Sequence, residues 1–235
     1  MPVETIDIAD SPSSITDPVV TEEQIHLRPI HFELNVVSRS DGSAILTQGN
    51  TAVMAGVFGP AEVKLSKILI DRANVEAIYR PKTGLPTVAD RTREALIKNT
   101  CEAAIISSQY PRTNISVIVQ EMQDSGGFLA CSINASCLAL MNSGIAMRFL
   151  VAAVNCMIDK RDEIILDPSD LQSKDSKASL TFVFESQKKS VVASHTEGHF
   201  SQLQFQECLL RCRHASDVLF KLYREIVKKY TSMIC

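Results

Sequence analysis

The sequence predicts an α+β fold built as a single large domain, with a mixed or antiparallel sheet, one buried helix and one long C-terminal helix. Three observations carry this reading. Ile30, Phe32, Leu34 and Val36 alternate with polar neighbours, the period of a half-buried strand. From Gly127 to Met141 the chain is apolar nearly all round and rich in small residues (Ala130, Ser132, Ala135, Ser136, Ala139), which suits a helix covered on most of its surface. From Ser201 to about Met233, Phe205, Leu209, Cys212, Leu219, Leu222, Ile226 and Tyr230 follow helical spacing behind a Ser201/Gln204 capping box. Strands come in blocks with helices between and after them, which argues against a regularly alternating, doubly wound sheet.

Taken in order, the chain opens with residues 1–24, which hold six acidic side chains (Glu4, Asp7, Asp10, Asp17, Glu22, Glu23) and no Lys or Arg. That composition predicts a solvated, disordered acidic tail ahead of a domain spanning 25–235. "LRPIHFELNVV" is the first strand, "SRSDGS" supplies Asp41-Gly42 as a hairpin turn, and "AILTQGN" and "TAVMAGVFGP" complete an antiparallel meander. "VEAIYRPKTGLP" is a strand running into a loop marked by Pro81, Gly84 and Pro86. Residues 88–109 read as a helix with Leu96/Ile97, Thr100/Cys101 and Ala104/Ile105 on one side. "TNISVIVQEM" alternates Ile115, Val117 and Val119 as a further strand, and shorter strands are expected at 149–158, 163–166, 179–185 and 190–195.

Composition narrows the functional classes. A chain of 235 residues with 45% hydrophobic content can bury a full core. Its net charge of −3 is not that of a polycation, so any nucleic-acid contact must use a local basic patch. No apolar run approaches a membrane span, and the N-terminus lacks the basic start and apolar stretch of a signal peptide. The seven cysteines form no CxxC pair and lie mostly in apolar segments, as reduced small hydrophobes of a cytosolic or nuclear protein do. His195 and His199 in "SHTEGHF" are separated by a glycine that argues for a turn, so they do not read as a metal-binding pair.

The middle of the chain resembles a known family. "SRSDGSAILTQGNTAVMAGVFGPAEV", "RPKTG", "ADRTREALIKNTCEAAI" and "QDSGGFLACSINAS" occur in the order and spacing of the ribonuclease PH family, over roughly residues 26–230. "RPKTGLP" and "NTCEA" look most like the branch that forms ring subunits of the eukaryotic RNA exosome. Active members of the family cleave the RNA 3′ end with inorganic phosphate, held by a Gly-Gly-Thr-Arg segment at a helix start. Here Gly126 and Gly127 match the glycine pair, but Phe128 falls on the threonine and Leu129 on the arginine. The resemblance implies a glycine turn that survives without its phosphate grip. Of the two family carboxylates, Asp167 matches the first, while Ser173 stands six residues on where the second belongs. Asp170 and Asp175 are the candidates to replace it and gather a divalent metal, the alternative being loop aspartates at strand ends. A substrate-side arginine of active members falls on Ala95.

Arg80, Lys82, Arg91, Arg93 and Lys98 surround the loop and helix that face RNA in the resembled fold, as phosphate contacts or as a solvated helix face. Lys64, Lys67, Arg211, Arg213, Lys221, Arg224, Lys228 and Lys229 are assigned to surface or subunit contacts. Two function classes follow. The first is a non-catalytic ring subunit that scaffolds a hexamer and guides RNA for 3′-to-5′ processing and degradation, rRNA maturation and mRNA decay included. The resemblance implies heterodimeric pairing with other ribonuclease PH-like subunits, RNA-binding cap subunits and single-stranded RNA as partners, with a homodimer open for the isolated chain. It implies no cofactor, no membrane, and a place in nucleus, nucleolus and cytoplasm. The second class is a self-standing nuclease, phosphorolytic or metal-dependent, acting on RNA or DNA through Asp167, Asp170 or Asp175.

Overall fold

The computed structural model describes residues 27–174 and 176–234; the acidic stretch 1–24 and Asp175 lie outside the described residues. Five strands make the first sheet: β1 (Ile30–Leu34), β2 (Gly42–Gln48), β3 (Thr51–Glu62), β4 (Asn74–Arg80) and β5 (Thr113–Gln123), in the order β1-β2-β3-β5-β4. The first three form the expected antiparallel meander, whereas β4 pairs with β5 in parallel, Ala77 opposite Val117. A parallel pair needs a crossover, and α1 (Val88–Ala104) supplies it.

The tight turn of the meander is not at Asp41-Gly42. Gln48 pairs with Thr51, so Gly49-Asn50 is the two-residue hairpin loop, with Gly49 at φ 59° as the first position of such a turn requires. Gly42 is already inside β2 opposite Val57. It is needed for close approach, because a Cβ there would lie 2.4 Å from the Ala139 carbonyl oxygen and the Ser143 nitrogen of the overlying helix. The Asp41 carboxylate instead braces β3, accepting from the Gly59 amide at 2.8 Å.

The second sheet is antiparallel, in the order β7-β6-β8-β9: β6 (Val151–Asp159), β7 (Ile164–Leu166), β8 (Ser176–Glu185) and β9 (Val191–Gly198). Between the two sheets lies α2 (Phe128–Ser143), which packs on β2 and β3 on one side and on β6 on the other, with α1 beside it against β4 and β9. The long C-terminal helix α4 (Gln202–Ile234) covers the outer face of the second sheet through β6 and β8. β6 is therefore covered on both faces and buried from Val151 to Ile158, which is why it reads as a continuous apolar run without alternation. The short helix α3 (Asp170–Ser173) joins β7 to β8. One connected apolar cluster runs through both sheets and the helices.

α2 is buried without a break from Phe128 to Leu140, so its polar side chains must find partners inside. Ser132 and Ser136 each return a hydrogen bond to the carbonyl four residues back, at 2.8 Å. β7 reaches only as far as Cys156 along β6, which leaves the edge of β6 at Ala153 without a ladder neighbour. Asn134 fills that gap: its Nδ2 donates to Ala153 O at 2.9 Å and its Oδ1 accepts from Ala153 N at 2.7 Å. The predicted helix 88–109 stops earlier, at Ala104. Ile105 turns to an extended backbone and bridges to Met147, and Arg148 N bonds Ala104 O at 2.7 Å, so the β segment before β6 takes the chain out of the helix.

Candidate functional site

The glycine pair sits where the resemblance placed it, at the start of α2. Gly127 is the N-cap in the left-handed region (φ 65°), and Gly126 has φ 100°. Both conformations favour glycine, and the site also leaves no room for more. A Cβ on Gly126 would lie 2.6 Å from the Pro168 carbonyl oxygen and 2.7 Å from the Asp170 nitrogen. The turn is thus pressed against the segment 167–170, and the two are joined by Asp170 N donating to Ser125 O at 2.9 Å.

Phe128 and Leu129, in place of a hydroxyl and a guanidinium, do more than leave a phosphate without partners. Both are buried. Phe128 packs edge-on against Tyr79 of β4 with ring centroids 5.5 Å apart, and the Arg93 guanidinium lies over its face at 5.7 Å. Leu129 turns the other way, into an apolar seam with Leu96, Ile133, Val183 and Ala193. Both side chains are part of the core that the two sheets share. Burial and the neighbouring Glu121 carboxylate, to which the Tyr79 hydroxyl donates, push the Tyr79 phenol well above its usual range. It stays a neutral donor.

Asp167 is buried beneath the glycine turn, with φ 50° and its amide donating to Asn155 O at 2.8 Å. Its carboxylate is fully engaged by one residue. Arg28 Nη2 reaches Oδ1 at 2.6 Å, and the Arg28 backbone N–H donates to Oδ2 at 3.0 Å. The same guanidinium donates to Ser125 O at 3.2 Å and Gly126 O at 3.0 Å, while Thr51 Oγ1 donates to Gly126 O at 2.7 Å. In this charge-assisted pair backbone oxygens take further donors of both terminal nitrogens, while the buried Arg28 Nε has no partner among the described residues. Arg28 was not among the candidates: it lies 139 residues from Asp167, and nothing in local periodicity links them.

Asp170 does not join Asp167, and Asp175 lies outside the described residues. Asp170 is exposed and pairs at 3.0 Å with Lys174, the residue that follows its own short helix. Among the described residues, no group of three or more His, Cys, Asp or Glu is arranged to hold a metal ion. His195 bonds to Glu197 at 3.0 Å along β9 and not to His199.

The five basic candidates divide. Arg80, Lys82 and Arg91 line one cleft of about 380 Å³ between the end of β4, the loop 81–87 and the first turns of α1. Arg93 faces elsewhere, bonded to Asp90 at 3.3 Å and lying over Phe128. Lys98 is exposed farther along α1. The start of α1 is held by a full capping box. Asp90 N donates to Thr87 Oγ1 at 3.4 Å, and Thr87 N donates to Asp90 Oδ2 at 2.8 Å. The Thr87 backbone bond holds the Asp90 carboxyl below its usual range, helped by the Thr87 hydroxyl and Arg93 against the opposing effect of burial.

Known proteins lead to the same family. Residues 26–146 match the model of the 3′ exoribonuclease family, domain 1, and residues 150–211 match domain 2. The exosome complex exonuclease RRP46 homolog of Arabidopsis thaliana is 34% identical over 166 residues, 71% of this chain and 70% of that protein. The exosome complex component rrp46 of Schizosaccharomyces pombe is 29% identical over 203 residues, 84% of this chain and 89% of that one. The crystal structure of rice (Oryza sativa) Rrp46 superposes with a TM-score of 0.83 at 30% identity, covering 87% of this chain and 96% of that chain. The two family models divide the chain where the first sheet with α1 and α2 gives way to the second sheet with α4. With the glycine turn, the paired sheets and both family segments in place, this chain belongs to the 3′ exoribonuclease family of the ribonuclease PH type.

Proposed function

We propose that the chain is a non-catalytic ring subunit of an RNA exosome, of the RRP46 type. In this reading it scaffolds a hexamer of ribonuclease PH-like subunits and helps guide single-stranded RNA toward 3′-to-5′ processing and degradation. The observation that carries it is the filled phosphate site: Phe128 and Leu129 are packed into the core where the family's chemistry needs a hydroxyl and a guanidinium. Loss of preorganised charge stabilisation at such a site costs about 3–4 kcal/mol per donor, or two to three orders of magnitude in rate. The relatives named as exosome components support the assembly. Partnership with other ribonuclease PH-like subunits, with RNA-binding cap subunits and with RNA goes with it.

The nuclease reading has less support, since both oxygens of Asp167 are held by Arg28 and Asp170 pairs with Lys174. Placement in nucleus, nucleolus and cytoplasm completes the proposal; the six free, buried thiols among the described residues fit a reducing compartment. Two measurements test the function. The purified chain is incubated with labelled RNA, with and without phosphate, Mg²⁺ and Mn²⁺, and no turnover is expected. Co-expression with other ribonuclease PH-like ring subunits should give a stable hexamer by size and mass. Phosphate-dependent release of nucleoside diphosphates, or failure to enter any such ring, would reject the reading.

A further inference from the structure

Arg28 marks the point where the chain crosses from one sheet to the other. Ile30 opens β1 opposite Gln48 in the first sheet, and two residues upstream the Arg28 amide already donates to Asp167 Oδ2 at 3.0 Å, just past the end of β7 in the second. Leu27 packs on the core. The chain that precedes Leu27 is therefore tethered beside β7. β7 is the edge strand of its sheet, and among the described residues no strand pairs with its outer side. Asp159 N donates to Glu163 O at 2.9 Å and Asp167 N to Asn155 O at 2.8 Å. By the alternation of an antiparallel pair, the backbone groups of Ile164 and Leu166 then face outward. An open edge of this kind invites an added strand unless something covers it.

Next to the edge lies a groove of about 520 Å³, between the β6–β7 turn and α3. Met157, Ile165 and Leu171 form its apolar part, and Leu171 is 80% exposed. Lys160 and Arg161 stand at the end away from Asp167, with Asp159 as the one carboxylate of the lining. Asp159 Oδ1 already accepts from the Lys160 amide at 2.7 Å. Asp162, in the same turn, is committed to Lys177 at 2.6 Å and Gln204 at 2.8 Å. Among the described residues no hydrogen bond or ion pair holds the Arg161 guanidinium. The groove is thus an apolar floor that ends in positive charge.

We propose that residues 21–26 of the same chain dock in this groove, extended and parallel to β7. The segment reads TEEQIH, an acidic pair followed closely by an isoleucine. Its register follows from the tether. Glu163 is four strand positions from Asp167, about 13 Å, and the turn that carries Lys160 and Arg161 lies just beyond. Glu23 and Glu22 are five and six residues before Arg28, an extended reach of about 17–20 Å, which brings them to those two cations. Ile25, three residues before Arg28, falls beside Ile165 and Leu171. A chain laid against this edge also takes the outward backbone groups of Ile164 and Leu166, as added strands do. The inference goes beyond the proposed function and does not rest on ring membership.

The test follows amide hydrogen exchange in the full chain, with residues 2–10 of the same acidic stretch as internal reference. Corrected for intrinsic rates, residues 21–26 should exchange roughly tenfold slower than the reference, with Ile164 and Leu166 protected alongside them. Leu171→Ser should remove most of that protection, because it takes away the apolar contact of Ile25. Arg161→Glu should speed exchange about threefold, and Glu22→Arg with Glu23→Arg in the same chain should reverse the change. High KCl should act on the wild type as Arg161→Glu does. Arg161 and Leu171 are both exposed, so unchanged melting temperatures are the expected control. The proposal is overturned if residues 21–26 exchange as fast as the reference, or if their protection survives both Leu171→Ser and Arg161→Glu. Protection that fades on dilution overturns it as well, because the groove would then hold the segment of a second copy.

Discussion

α1 and α2 begin one aromatic contact apart, since Arg93 of the first lies over Phe128 of the second, yet their first turns are built on opposite chemistries. Both helices face the same problem of unpaired N–H groups at their start. α1 solves it with side chains, a Thr87/Asp90 box that leaves the turn polar and edged by the cations Arg80, Lys82 and Arg91. α2 has no side-chain cap; its glycine turn packs backbone against the 167–170 segment and is followed at once by buried Phe128 and Leu129. The lesson is that a glycine turn before a helix does not make an anion site. The side chains that follow decide whether the donors meet a ligand or the protein's own interior.

The contrast can be broken first at its ion pair. Arg28→Ala removes the one counter-charge paired, among the described residues, with a carboxylate that is 3% exposed, and should cost about 3–5 kcal/mol in denaturant unfolding. Asp167→Asn in the same background should recover part of that loss. Equal stability of the single variant and wild type would mean the pair does not hold the turn. Gly126→Ala tests the backbone contact. With φ 100° and carbonyl and amide atoms of the 168–170 segment under 3 Å from the new Cβ, a loss of about 3 kcal/mol is expected. Restoring the family residues by Phe128→Thr with Leu129→Arg tests whether the site is core. The double variant should lose roughly 3 kcal/mol or more through the emptied ring position and the buried guanidinium, and should gain no phosphate-dependent activity. A stable, phosphorolytic double variant would mean the pocket was only missing its residues.

The smallest effect belongs to α1. Thr87→Ala should cost about 1 kcal/mol by loss of the cap. Because the folded Asp90 carboxyl is held below its usual value, its contribution is complete above the unfolded pKa of about 4 and is lost as pH falls through the lower folded value. The gap between wild type and Thr87→Ala should therefore close as pH drops below about 4 in acid titrations of unfolding. A gap that stayed constant would remove Asp90 from the cap.

Much of this was legible residue by residue. The 2-residue period of β1, the all-round apolarity of α2 and the capped amphipathic α4 are local patterns, and local patterns need only the neighbours in the chain to be read. Phe128 and Leu129 are legible in the same way, because an apolar residue supplies no charge wherever it is placed. The hairpin was misplaced to Asp41-Gly42 because close backbone approach and a tight turn both select glycine, and only the packing of α2 over β2 separates the two.

What the amino-acid sequence determined alone is therefore the order of the elements, the buried character of the central helix and the apolar pair Phe128 and Leu129 that follows its glycine turn. The tertiary structure decided the rest: the parallel pairing of β4 with β5, the Arg28–Asp167 bond, the Asn134 clasp on β6, and the sorting of five basic residues into three that share a cleft and two that do not. These depend on which distant segments the chain brings together when it closes its core. Such meetings leave no periodic mark on either partner, since the geometry that joins them exists only after the sheets have packed.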